Sequence, residues 1–183
     1  MYKLLVVISV AAIPVFAQSG SNAAKTTAMA NPLSGAAKYM YGMSKTDLLK
    51  SAQEMPEENY SFKPVDTVRT FGQLVGHVAD GQYEFCSAAV EDKSEHASVE
   101  KSKTSKADLI AALQEAFAYC DKAYNMMTDA QAAQMVSFFG RNAPKLSILN
   151  FNTAHNMEHY GNIVTYLRIK GLVPPSSQQS TMQ

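Results

Sequence analysis

Apolar residues along the chain gather into four long runs with helical spacing, separated by polar or Pro- and Ser-rich stretches, and no alternating run of strand length stands out. The first run follows Asn31-Pro32, a capping residue and a proline suited to a helix's first turn. It carries Leu33, Ala36, Ala37, Met40, Leu48, Ala52 and Met55, and Pro56 ends it. Residues 56–68 read as an irregular connection anchored by Tyr60 and Phe62. Thr70 with Gln73 forms a capping box that opens a second helix, running to about Glu91. The charged, Ser-rich stretch 91–106 reads as an exposed connection, with His96 on the surface. Ser105 with Asp108 opens a third helix, striped by Leu109, Ala112, Leu113, Ala116, Tyr119, Cys120, Ala123 and Met127. Residues 128–134 suit a short helix before a turn at Gly140-Arg141-Asn142. The fourth pattern begins near 142–144 and ends at Gly171, with Arg168 and Lys170 in its last turn, where cations oppose the helix dipole. Four such faces most simply bury one another side by side, which predicts an all-α four-helix bundle.

The ends do not share this patterning. Residues 1–17 read as an export signal: Lys3, an apolar run from Leu4 to Val15, and Val15-Phe16-Ala17 as a cleavage site. The run is short of the ~20 residues a spanning helix needs, so cleavage near Gln18 is expected to leave no stable membrane anchor and to deliver the protein to the periplasm or outside the cell. Residues 18–31 read as a flexible linker, 32–173 as the bundle and 174–183 as a flexible tail.

Sixteen Lys+Arg balance sixteen Asp+Glu. No basic surplus exists to neutralise a row of phosphates, so nucleic-acid binding is not expected. The two cysteines, Cys86 and Cys120, form no CxxC pair, so a transition-metal site must come mainly from the four histidines. His155 and His159 stand one turn apart on the fourth helix and can reach one ion. Ile148, Asn152, Asn162 and Tyr166 continue that stripe. A catalytic centre of the zinc type has three protein ligands and an open position, and His77, between Gly76 and Val78 on the second helix, is the natural third. Spacing alone equally allows hydrogen-bonded core histidines. Position 156 is Asn, so there is no HExxH and no zinc-protease signature. Asp80, about one turn from His77, could orient a ligand ring, act as a base, or be a solvated helix acid. Glu158 reads as an exposed or helix-contacting acid.

Three segments in this order resemble the DinB-like (YfiT-like) superfamily of metal-binding helical bundles. They are Met55-Pro56-Glu57-Glu58-Asn59-Tyr60-Ser61-Phe62-Lys63-Pro64, then Phe71-Gly72-Gln73-Leu74-Val75-Gly76-His77-Val78-Ala79-Asp80, then His155-Asn156-Met157-Glu158-His159-Tyr160-Gly161-Asn162, closing at Gly171-Leu172-Val173-Pro174-Pro175. The likeness extends over about residues 33–175. It implies an up-up-down-down bundle, a divalent metal held by His77, His155 and His159, with zinc or nickel foremost, and a possible homodimer. Some related families transfer low-molecular-weight thiols or isomerise substrates with a thiol cofactor; a metal ion would lower the thiol's pKa, and hydrolysis by a metal-activated water is an equally simple use. The export signal departs from cytosolic members and weakens the case for a cytosolic thiol cofactor. The sequence therefore points to a metal-dependent enzyme of hydrolase or thiol-transfer type acting on an unidentified small molecule, against a competing class of non-catalytic metal-binding or protein-interaction bundle.

Cys86 and Cys120 could pair in an oxidising compartment. If the second and third helices run antiparallel, however, the two positions are offset by roughly 15 Å along the axis, and a disulfide needs Cα atoms within ~7 Å. Two buried free thiols are expected on that assumption.

Overall fold

The computed structural model describes residues 30–178; the expected export signal and the linker to residue 29 lie outside the described residues. Four long helices carry the fold: α1 (Pro32–Glu54), α2 (Phe71–Val90), α4 (Lys106–Met126) and α6 (Lys145–Ile169). One-turn helices α3 (Val99–Ser102) and α5 (Asp129–Ala132) sit in the connections, and strands β1 (Met135–Phe138) and β2 (Arg141–Pro144) precede α6.

The helix starts follow local chemistry. Thr70 and Gln73 exchange side-chain and backbone hydrogen bonds at the start of α2, Ser105 accepts from the Asp108 amide at α4, and Thr128 with Gln131 caps α5 in the same reciprocal way. Helix α2 stops at Glu91, whose left-handed φ of 59° ends the ladder, and Gly171 does the same beyond α6 at φ 75°.

Helices α1 and α2 each pack against both α4 and α6. Their directions follow from pairs of named atoms. Lys106, at the start of α4, donates to the Gln53 and Met55 carbonyls at the end of α1, whereas Ser34 at the start of α1 bonds Asp129 beyond the end of α4. Tyr166 late in α6 donates to the carbonyl of Arg69 just before α2, and Tyr124 late in α4 donates to the carbonyl of Leu149 early in α6. Helices α1 and α6 thus run one way and α2 and α4 the other. The order is up-down-down-up, correcting the up-up-down-down order that the resemblance implied.

Parallel α2 and α4 also overturn the expectation of free thiols. Cys86 and Cys120 each lie about four turns from the start of their helix, so they stand at one level, with Cα atoms 5.3 Å apart and a disulfide between them. The offset inferred from sequence came from assuming opposite directions.

Phe71, Phe117, Leu48, Leu109, Leu113, Ile148, Leu149, Ile163 and Leu167 fill the core. The stripe expected on α1 is rotated: Leu33 and Met40 are exposed, and Ser34, Ala37, Tyr41, Ser44, Leu48 and Ser51 face inward. The buried hydroxyls keep partners within reach, Ser44 on the Tyr41 carbonyl and Ser51 on the Asp47 carbonyl. Around the turn expected at Gly140-Arg141-Asn142, residues 135–144 form an antiparallel hairpin with Met135 opposite Pro144 and Phe138 opposite Arg141. Its two-residue loop, Phe139-Gly140, holds both φ angles positive, the twist that suits tight hairpins but with Phe where Asn or Asp is usual. The tail is docked as far as it is described: Pro175 is buried, and Ser176 exchanges hydrogen bonds with the Tyr160 hydroxyl.

Candidate metal centre

Antiparallel α2 and α6 bring His77 against His155 and His159. The Nε2 atoms of His155 and His77 are 3.2 Å apart, and those of His159 and His155 are 3.1 Å apart. Ligand atoms of all three residues lie within 4.8 Å of one another, and no other His, Cys or carboxylate among the described residues joins them. Three nitrogens each ~2.0–2.1 Å from one tetrahedral ion would be separated by only slightly more than these distances, so the residues fit such an ion. His159 is buried, whereas His77 and His155 are half-buried and keep one side of the cluster accessible.

Electrostatics hold the donors in the form a metal needs. Burial, then the neighbouring His159 and His77 rings, push the pKa of His155 down to about 3. Burial and then the His77 ring lower that of His159 as well. Both rings are therefore neutral near pH 7, with a nitrogen lone pair to donate.

Three features around the rings keep them in place. Gly81 faces His155 so closely that a Cβ there would sit 2.8 Å from the ring's Cε1, so a glycine is needed for the ring to occupy this position. Phe85 meets the same ring edge-to-face at 5.1 Å between centroids. Beneath the triad, Gln82 donates to Asn156 (2.6 Å) and accepts from Asn152 (3.0 Å), while Asn156 donates to Ser44 on α1, tying three helices together.

The carboxylate that serves the site is Glu100, which the sequence reading passed over. Its Oε2 lies 3.2 Å from His77 Nδ1, and its Oε1 accepts from Arg69 Nε at 2.8 Å. A carboxylate at Nδ1 favours the tautomer whose Nε2 lone pair is free for an ion. Asp80, for which spacing allowed an orienting, a basic or a solvated role, bonds no imidazole. Its carboxylate accepts from the amides of Val99 (2.6 Å) and Glu100 (3.2 Å) and from the Ser98 hydroxyl (2.7 Å), holding the start of α3 against α2. Gly76 makes room for that approach, since a Cβ there would lie 2.7 Å from the Glu100 Cα. Asp80 and Gly76 therefore position Glu100, and Glu100 meets the ring. Asn162, placed on the inward stripe from spacing, is exposed, whereas Asn152 of the same stripe is buried and Asn156, one turn on, is buried with it. Glu158 and His96 are exposed as expected, with His96 stacked on Tyr83 at 4.0 Å.

A family model described as the DinB superfamily matches residues 41–163, which include all three histidines. The chain belongs to the DinB superfamily. Two solved structures share the DinB fold. A DinB-like protein of Bacillus cereus is 19% identical, with a TM-score of 0.68 over 77% of this chain and 95% of its own. A DinB-like protein of Bacillus subtilis is 20% identical, with a TM-score of 0.65 over 80% of this chain and 99% of its own. No curated protein matches the chain.

Proposed function

We propose that this DinB-superfamily protein is an exported, metal-dependent enzyme of hydrolase or thiol-transfer type, with His77, His155 and His159 as the ligands of a divalent ion, zinc or nickel foremost. The observation that carries this reading is the convergence of the three histidines from two helices, with His155 Nε2 3.2 Å from His77 Nε2 and 3.1 Å from His159 Nε2, and with both His155 and His159 held neutral. Three protein ligands rather than four is the pattern of a site that keeps a position for water or substrate. A bound divalent ion supplies Lewis acidity, which lowers the pKa of water or of a substrate thiol. The chain's own part is to aim three lone pairs at one point, to fix the His77 tautomer through Glu100, and to leave the His77 side accessible.

Export is supported by the apolar amino terminus, with cleavage near Gln18, and by the Cys86–Cys120 disulfide, a bond that persists in oxidising compartments. Partners other than a small-molecule substrate and a second copy of the chain form no part of the reading. Elemental analysis of protein purified without added metal or a His-tag tests the site: about one divalent transition metal per chain supports it, and metal-free protein that takes up none on titration contradicts it.

A further inference from the structure

The Arg69 guanidinium pairs through Nε with Glu100 Oε1 at 2.8 Å, and the other carboxylate oxygen of Glu100 lies 3.2 Å from His77 Nδ1, so Arg69 stands one side chain removed from the triad. A divalent ion on three neutral rings contributes two positive charges and Arg69 a third, and Glu100 cancels only one of them. The excess calls for an anion. A cavity of about 670 Å³ opens beside this group, lined by Arg69, Thr70, Gln73, Glu100, Lys101 and Lys103 among others. Only the Nε edge of Arg69 is engaged, so its two terminal nitrogens make no hydrogen bond among the described residues. Lys101 and Lys103 are exposed and enter no ion pair among the described residues. The cavity thus joins a planar guanidinium, suited to oxyanions, to two uncommitted ammonium groups, and Glu100 links its wall directly to His77.

We propose that this cavity binds the carboxylate or phosphate end of the substrate, so that the substrate class of the metal centre is a small oxyanion-bearing molecule clamped by Arg69, Lys101 and Lys103. The proposal rests on the metal reading above for the position of the substrate's other end, and the experiment separates the two. Inorganic phosphate is titrated by calorimetry and amide NMR into the metal-free and the zinc-loaded protein, and into the K101Q/K103Q and R69Q variants, with circular dichroism as the check on folding.

Saturable binding is expected in both forms of the wild type, with amide shifts centred on residues 69–73 and 100–104. It should be several-fold tighter with zinc, because the ion adds positive charge that attracts an anion bound nearby. K101Q/K103Q should bind phosphate about tenfold more weakly while keeping full zinc stoichiometry, a factor of ten being about 1.4 kcal/mol. R69Q should weaken it at least as much. Phosphate affinity unchanged in K101Q/K103Q, or shifts confined to the histidines, overturns the oxyanion cavity. Equal phosphate affinity with and without zinc overturns its link to the metal. Binding to the metal-free protein that the lysine variant abolishes, in a protein that takes up no zinc, supports the cavity and removes the metal reading alone.

Discussion

Glu100 reaches Nδ1 of His77 at 3.2 Å from a helix of only four residues, and that helix is held on α2 by Asp80, three positions beyond the histidine it serves. Helix α2 therefore carries both His77 and the clamp for the carboxylate that meets it. Glu100→Gln keeps the size of the side chain and removes its charge. We expect it to lower zinc affinity about 10- to 100-fold, the usual cost of losing such a carboxylate, while the circular dichroism spectrum is retained. Competition with a chromophoric chelator measures this, and affinity within twofold of the wild type would show that Glu100 does not act on His77.

Asp80→Asn tests the clamp itself. The substitution weakens the bonds to the Val99 and Glu100 amides without touching a ring. Zinc affinity should fall in the same direction as for Glu100→Gln but by less, and the Asp80→Asn/Glu100→Gln double variant should be no weaker than Glu100→Gln alone. Additive losses would mean that Asp80 acts on the metal by another route.

Gly81→Ala places a Cβ 2.8 Å from His155 Cε1 and 3.0 Å from its Nδ1. The ring must shift, so zinc affinity should drop and the metal-free protein should lose about 1–3 kcal/mol, the range for overpacking a tight site. Gly161→Ala on α6 is the control, because a Cβ there meets nothing within 4 Å; it should stabilise the helix by about 0.5–1 kcal/mol and leave zinc affinity unchanged. Thermal denaturation with and without zinc reads both.

The histidines also set a pH dependence in the metal-free protein. The pKa of His155 is lowered in the folded state to about 3, from an ordinary 6.5, so on acidification the unfolded chain takes up its proton first. The stabilising contribution of the neutral ring is fully present above pH 6.5 and is lost progressively as pH falls from there towards 3. His159 acts in the same direction. Melting temperatures of the metal-free wild type should fall more steeply between pH 6.5 and 4 than those of His155→Asn, and parallel curves would refute the buried neutral ring.

Sequence pattern located much of this architecture because the signals are local. Thr70 and Gln73 lie three residues apart and cap α2 as their spacing predicts, and the i, i+4 spacing of His155 and His159 places both on one side of α6. Glu100 escaped because its importance depends on α3 folding back onto α2, and its approach is permitted by Gly76, 24 positions away in the chain. The Cys86–Cys120 bond escaped for a related reason: helical spacing fixes a residue's height along its own helix, but the direction of the neighbouring helix is a property of the whole topology.

That bond has its own test. Replacing both cysteines with alanine should destabilise the protein by about 2–4 kcal/mol, since a cross-link spanning 34 positions restrains the unfolded chain. Helical content should persist, and intact mass before and after reduction and alkylation should show two thiols appearing only on reduction.

The most direct measurement is the metal content of His159→Ala beside the wild type, both purified without added metal or a His-tag, with circular dichroism on the same samples. About one divalent transition metal per chain is expected in the wild type and a sharp loss in the variant. Helical content should be unchanged, because the core of Phe71, Leu48, Leu113, Ile148 and Leu167 does not depend on the ion. Stoichiometric metal retained in His159→Ala, or a wild type that neither carries nor takes up metal, would contradict the three-histidine metal centre.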